Sequence, residues 1–307
     1  MILAPVNIQE IRDLVKGRVQ TQAPLHRLTS LRIGGPADLV VEPENTEELG
    51  SLLCYLDEKE IDRVILGAGT NVLFQDSGFR GVVIRIISME HFSVSENGAG
   101  NARIGAGAGL GLPSVIKKAC ALGFRGIEPL WGIPGSFGGA IVTNAGAGGL
   151  CLGDLLSEIR LLSRGGQEMI LEKERLDYGY RSMTIPDGAV VVEGTVHLTR
   201  GKPRAIEAAL EKARTKRRSS QPLGVASAGC VFKNPDPDNP AGALIDRLGF
   251  KGVSVGAAQV SDVHANFIIN RGDASALQVL ELIERMRSKV KSEYGFDLDL
   301  EIRIIGD

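Results

Sequence analysis

The chain has 307 residues, 43% of them hydrophobic and 23% charged, values ordinary for a packed globular protein of two or three lobes. Lys and Arg total 35 against 37 Asp and Glu, a net charge of -2, which excludes the large basic excess of a nucleic-acid binder. No apolar run approaches the ~20 residues needed to span a bilayer, and residues 1–10 lack the basic and apolar regions of a signal peptide. The four cysteines (Cys54, Cys120, Cys151 and Cys230) form no C-x-x-C pair, so a reduced, cytoplasmic protein without a zinc or dithiol motif is expected.

The chain opens with an α/β pattern. Residues 38–41 read as a strand, and Asn45 or Thr46 can cap a helix with Glu47 and Glu48 in its first turn, where the helix dipole favours acids. Residues 63–66 read as a short buried strand running into Gly67. A β-rich middle follows, with strands expected at 82–86, 91–95, 102–104, 158–163, 168–172 and 190–199. Gly165-Gly166 marks a hairpin between two of them. Two helices interrupt the set, one over 113–121 and one starting near Ser136. Residues 200–203 look like a boundary, followed by a helix over 205–218 that ends in a basic run, then Gly- and Pro-rich loops to about Pro240.

Asp273 is expected to cap a long helix ending at Tyr294, with Gly295 as its C-terminal cap. Leu277, Leu280, Ile283, Met286, Val290 and Tyr294 recur at the helical period. In the last strand Leu298, Leu300, Ile302 and Ile304 share one face, and Asp299, Glu301 and Arg303 the other.

Glycine is the compositional outlier, at 39 residues, and it clusters in three loops: 66–71, 105–109 and 132–149. Glycines let backbone N–H groups converge on phosphate oxygens, and Thr70, Asn71, Ser136, Thr143 and Asn144 add side-chain partners. No Walker A loop occurs, and the dinucleotide fingerprint fails because Val72 stands where its third glycine belongs. Separate glycine loops from two lobes suit a long cofactor such as FAD. For the 105–109 loop, simple turn-making explains the glycines equally well.

In order, the motifs are Thr29-Ser30-Leu31-Arg32-Ile33-Gly34-Gly35-Pro36-Ala37, Leu66-Gly67-Ala68-Gly69-Thr70-Asn71, Gly132-Ile133-Pro134-Gly135-Ser136-Phe137-Gly138-Gly139-Ala140 and Asn144-Ala145-Gly146. Then come Tyr180-Arg181-Ser182, Gly229-Cys230-Val231-Phe232-Lys233-Asn234-Pro235, His264-Ala265-Asn266-Phe267 and Leu300-Glu301-Ile302-Arg303. This ordered set resembles the UDP-N-acetylenolpyruvoylglucosamine reductase (UDP-N-acetylmuramate dehydrogenase) family over nearly the whole chain. The length is similar to its shorter type, without an inserted substrate-capping loop.

The resemblance implies an α+β protein: a vanillyl-alcohol-oxidase-type FAD-binding fold of two lobes plus a C-terminal α+β substrate-binding lobe. The expected spans are 1–75 and 76–200 for the FAD lobes and 201–307 for the substrate lobe, with the last strand able to pack back on the first. It also implies NADPH-driven, FAD-mediated reduction of UDP-N-acetylenolpyruvoylglucosamine in peptidoglycan precursor synthesis. A cytoplasmic monomer is expected, and no metal site, because the histidines are dispersed and no acidic cluster has ligand spacing. The FAD-binding residues the resemblance implies are Arg32, Gly34, Gly35, Gly67, Ala68, Gly69, Thr70, Asn71, Gly107, Ile133, Pro134, Gly135, Ser136, Gly138, Gly139, Asn144, Ala145 and Gly146.

Hydride addition to the enolpyruvyl group leaves negative charge on the carboxylate side, so the site needs a cationic partner and a proton donor. Arg181 is the candidate partner, its forked donors matching a carboxylate; otherwise it reads as a surface Arg beside a hairpin. Glu301 reads on alternation alone as a solvated carboxylate, and the family match gives it a role in polarising or protonating the intermediate. Cys230 stands where the family usually has the proton-donating Ser; a thiol, with an ordinary pKa of about 8.5, can donate as well. As a bare residue Cys230 reads equally as a small buried hydrophobe, in which case water or Glu301 supplies the proton. Tyr180, Arg181, Lys233, Asn234 and His264 are the implied substrate contacts. His264 reads as readily as a structural histidine, and Arg217 with its basic neighbours as favourable helix-end charge. Two rival readings stay open at this level: an FAD-dependent alcohol or lactone oxidase of the same superfamily, and a non-catalytic binder of UDP-sugar or flavin.

Overall fold

The computed structural model describes residues 8–306 apart from 97 and 99; residues 1–7, most of the segment read above for a signal peptide, lie outside it. The chain forms two compact units. One comprises Met1–Thr21, Leu39–Ala68 and Gly81–Lys216; the other comprises Gln22–Asp38, Gly69–Arg80 and Arg217–Asp307.

The first unit begins with the expected strand–helix–strand. Asn45 caps the helix Thr46–Glu58 by accepting from the Glu48 amide at 2.9 Å. The helix buries Leu49, Leu52, Leu53 and Leu56 on one face. Arg63–Leu66 then pairs in parallel with residues 82–85. The β-rich middle is an antiparallel sheet ordered Glu168–Glu172, Leu156–Leu162, Val190–Arg200, Asn101–Gly107, Phe92–Glu96, with Phe124–Arg125 pairing the far end of Val190–Arg200. Its inward residues, including Ile104, Ile159, Leu161 and Val196, meet Phe137, Ile141 and Leu112 in one continuous core. Gly166, at φ 80°, makes the hairpin turn that Gly165-Gly166 signals. The helices expected at 113–121 and near Ser136 are Leu112–Ala121 and Phe137–Val142.

The second unit is built on an antiparallel sheet ordered Ala226–Cys230, Phe267–Asn270, Ala258–Val260, Ser254–Val255. The helices Ala241–Arg247 and Ala276–Tyr294 supply Leu244, Ile245, Leu282, Ile283 and Met286 to its core. A second pairing, Arg303–Ile305 parallel to Val72–Phe74, closes this unit's other end.

Three expectations are corrected in this unit. The long helix is capped by Ser275, not Asp273: Ser275 accepts from the Gln278 amide and Gln278 returns a bond to the Ser275 backbone, a capping box. The residues it buries are Ala276, Val279, Leu282, Ile283, Met286 and Val290, while Leu277 is 70% exposed and Tyr294 also faces solvent. The last strand is three residues long. A bend at Glu301 and Ile302 shifts the alternation, so Leu298, Ile302 and Ile305 are buried and Ile304 only half-buried. The strand Ala226–Cys230 also lies inside the stretch read as loop. Its Ala-Ser-Ala-Gly-Cys composition carries no β signal, and its pairing with Phe267–Asn270 supplies the structure.

Candidate functional site

Within the first unit the glycine loops meet. A Cβ on Gly67, just past the strand Arg63–Leu66, would overlap the Ser136 hydroxyl. Ser136 is 2% exposed and caps the helix Phe137–Val142, accepting from the Gly139 amide at 3.3 Å. The Phe137 and Gly138 amides donate to Leu110 and Ala108 carbonyls at 2.7 and 2.9 Å, and the Leu112 amide donates to Gly135 at 2.9 Å. A Cβ on Gly138 would lie 2.6 Å from that of Ala108. Gly67, the 105–109 loop and the start of the 132–149 loop therefore share one place. In the middle loop Gly107 and Gly109 abut the carbonyls of Met89 and Ile86, so backbone crowding alone requires glycine there.

The end of the third loop is joined to Tyr180 and Arg181. These two residues form the turn of a hairpin between Tyr178–Gly179 and Ser182–Met183. Asn144, 2% exposed, donates to the Gly179 carbonyl at 2.8 Å and accepts from the Gly153 amide at 2.8 Å. Arg181 donates to the Gly146 carbonyl at 3.0 Å, and its guanidinium lies 5.1 Å from the centre of the Tyr180 ring. A Cβ on Gly146 would stand 3.0 Å from the guanidinium, so glycine permits that approach.

In the second unit, the Arg32 amide closes a turn on the Thr29 carbonyl at 3.2 Å, with Arg32 at φ 57°. Asn270 holds it, donating to the Leu31 carbonyl at 3.1 Å and to that of Arg32 at 3.4 Å. The Ser30 hydroxyl donates to the Ser227 carbonyl at 2.6 Å, and the Ser30 amide donates to that of Gly69 at 2.9 Å. Gly34 and Gly35 have no room for a Cβ, being packed on Phe74 and the Asp76 backbone respectively. The Asn71 side chain donates to the Glu301 carbonyl at 3.0 Å, and its own carbonyl accepts from the Arg303 amide at 3.0 Å.

Cys230 and Glu301 come together here. The Glu301 amide donates to Val231 at 2.8 Å, Phe232 bridges to Leu300, and the Lys233 amide donates to Asp299 at 2.8 Å. Just before Cys230, Gly229 sits at φ 80° and the register against Phe267–Asn270 slips, a bulge that re-aims the following side chain. Asn266, 2% exposed, secures this segment: its amide group both accepts from the Phe232 N–H and donates to the Phe232 carbonyl, at 2.9 and 2.8 Å. Both Cys230 and Glu301 are half-buried.

The remaining candidates also have local partners. His264 Nδ1 accepts from the Asn266 amide at 3.1 Å, and its ring packs edge-on to Phe267 at 5.0 Å. Burial, with the charge of Lys251, holds its pKa below the ordinary value. Asn234 accepts from the Ala241 amide at 3.0 Å, at the start of the helix Ala241–Arg247. Arg181 lies in the first unit, and Cys230, Lys233, His264 and Glu301 in the second. Asn266 and Asn270 fix the backbone at Cys230 and Arg32. The sequence names neither as functional: Asn266 lies inside a motif with nothing to mark it as buried, and Asn270 lies outside every motif.

Residues 37–171 match a profile described as an FAD binding domain, and residues 221–305 match the C-terminal domain of UDP-N-acetylenolpyruvoylglucosamine reductase. The chain is 41% identical over 298 residues to the UDP-N-acetylenolpyruvoylglucosamine reductase of Moorella thermoacetica, covering 97% of each. It belongs to the UDP-N-acetylenolpyruvoylglucosamine reductase family. A reductase of the same description from Trichlorobacter lovleyi is 38% identical, with 97% of this chain and 96% of the relative covered. The crystal structure of the Thermus caldophilus reductase superposes with a TM-score of 0.80 at 32% identity, covering 94% of this chain and 99% of that one. The fold is accordingly the α+β one expected for the family, an FAD-binding domain joined to the reductase C-terminal domain.

Proposed function

We propose that Arg181, Cys230 and Glu301 carry the chemistry of this reductase. The chain is an FAD-dependent UDP-N-acetylmuramate dehydrogenase of peptidoglycan precursor synthesis, which sets aside the oxidase and non-catalytic readings. What supports the site assignment is the convergence of Gly67, the 105–109 loop and Ser136 in one unit, with backbones too close to admit side chains. The Phe137, Gly138 and Gly139 amides are taken up inside the protein, so what this convergence offers is close backbone approach, which suits a phosphate-bearing cofactor such as FAD. Gly67, Ala68, Gly135, Ser136, Gly138 and Gly139 would hold it in the first unit, and Arg32, Gly34, Gly35, Gly69, Thr70 and Asn71 belong to the second. FAD held there would supply the hydride chemistry that links NADPH to the enolpyruvyl double bond.

The protein's own residues do the rest. Arg181 pairs with the substrate carboxylate and stabilises the enolate-like charge that builds there. Cys230, aimed by the Gly229 bulge, gives up its thiol proton to the carbon next to that carboxylate. Glu301, tied through its backbone to Val231, polarises the same intermediate. Tyr180 and Lys233 contact the substrate. His264 and Asn234 contribute through the local bonds described above. No helix among the described residues is long and apolar enough to cross a membrane. The chain length goes with the shorter, uncapped type, and the scattered cysteines, none of them in a disulfide, with a cytoplasmic protein; a monomer is part of the same proposal.

Anaerobic addition of NADPH to the FAD-loaded protein tests the function. The flavin absorbance should bleach with NADPH and return on adding UDP-N-acetylenolpyruvoylglucosamine. Return only on admitting oxygen would overturn the reading.

A further inference from the structure

We infer that Asn144 is a positioning residue for Arg181, and that the segment 144–146 aims the guanidinium at the substrate carboxylate. This rests on the role given to Arg181 above. It reassigns Asn144, whose motif points to the cofactor.

Arg181 occupies the second position of a two-residue turn at φ 56°, a left-handed conformation unfavourable for a side-chain-bearing residue. Such strain persists where the surroundings hold it in place. Two bonds from one short segment do so. The Asn144 side chain takes the Gly179 carbonyl, on the residue just before the turn, and the Gly146 carbonyl takes the guanidinium itself. Asn144 is in turn fixed from its other end by the Gly153 amide. Lys173 donates to the Gly153 carbonyl at 2.6 Å and lies over the Tyr178 ring, which itself packs on Gly153. The same few residues therefore anchor both the turn's backbone and its charged tip. Both polar ends of the Asn144 side chain are engaged within the protein, and the residue is 2% exposed, which directs it at Arg181 and not at a ligand.

Asn144 also has a purely local task, and the test must separate the two. It follows the helix Phe137–Val142 at φ 41°, a left-handed position where Asn and Gly are favoured after a helix. Asn144→Gly keeps that backbone and deletes both side-chain bonds. Asn144→Asp keeps the acceptor for Gly153 and loses the donor to Gly179. Each variant should bind FAD and be reduced by NADPH within about two-fold of the parent. Reoxidation by UDP-N-acetylenolpyruvoylglucosamine should slow about ten- to a hundred-fold, the scale of a misplaced catalytic group. Calorimetry should show weaker binding of the product UDP-N-acetylmuramate. Combined with Arg181→Lys, Asn144→Gly should add little further loss, since both act through one group.

Loss of flavin, or an equal slowing of the NADPH step, would make Asn144 a cofactor contact and overturn the proposal. Losses that multiply in the double variant would make it merely structural. If Arg181→Lys alone leaves reoxidation and product binding intact, it is the role of Arg181 that fails, and the proposal goes with it.

Discussion

The backbone amide of Glu301 donates to the carbonyl of Val231 at 2.8 Å, one residue beyond Cys230. With the Phe232–Leu300 bridge, this sets the two acid candidates on adjacent, paired segments although they are far apart in sequence. The tie is made by main chain, so Glu301→Gln should leave the pairing intact. Reoxidation of the reduced flavin by the enolpyruvyl sugar should fall about 10²–10⁴-fold, the range of general acid–base catalysis, with NADPH reduction unchanged. Stopped-flow absorbance separates the two steps. Equal rates in variant and parent would return Glu301 to the solvated carboxylate that strand alternation suggests.

The four thiols should differ in reactivity. Burial, aided by Glu128, pushes the Cys120 thiol up to about 12, so it holds almost no thiolate at neutral pH. Cys54 is also raised, by its hydrogen bond to Glu58. Iodoacetamide at pH 7.5, followed by peptide mass spectrometry, should label Cys120 more slowly than Cys151 or Cys230. Substrate should protect Cys230 alone. Labelling of Cys120 at the rate of the others would contradict the burial argument.

The histidine on the 264–267 segment gives the second unit a pH dependence. Burial and the charge of Lys251 lower the His264 pKa, so the unfolded chain takes up the proton first as pH falls. Stability is then complete above about pH 6.5, the ordinary histidine value, and declines as pH drops from there toward the folded pKa. Urea unfolding at pH 5.5 and 7.5 should show a smaller loss on acidification for His264→Gln than for the parent. An identical loss would assign the acid sensitivity to other groups.

Much of this was legible in the chain. A helix cap at Asn45 or Thr46, the Gly165-Gly166 hairpin and the helix before Gly295 all follow from local chemistry, and the structure has each, with Asn45 as the cap. Less legible were features decided at long range. Leu277 fits the helical period yet faces solvent, because the period fixes only relative positions and not which face meets the core. Ala226–Cys230 is a strand because a neighbour pairs with it. The motifs supply the residues proposed for the site, but not the buried Asn144 and Asn266 bonds that fix the backbone around Arg181 and Cys230.

The start of the long helix shows the same effect. Beyond its Ser275 cap, the Ala276 and Leu277 amides donate to the Asp76 carboxylate at 2.8 and 3.1 Å, from 200 residues earlier in the chain. An acid at a helix N-terminus is favourable, and losing a cap costs about 1 kcal/mol. Asp76→Ala should therefore lower the unfolding midpoint in thermal melts by a few degrees, with Asp76→Asn intermediate. A midpoint equal to the parent's would show the Ser275 box to suffice.

The identity of the proton donor is the centre of the account, and single-turnover reoxidation of Cys230→Ala and Cys230→Ser measures it directly. With the flavin reduced beforehand by NADPH, the Ala variant should return its absorbance on adding the enolpyruvyl sugar about 10²–10⁴-fold more slowly than the parent. The Ser variant, which keeps a hydroxyl proton where the thiol proton was, should stay within about ten-fold. An Ala variant that reoxidises as fast as the parent would contradict the assignment and leave Cys230 a packing residue.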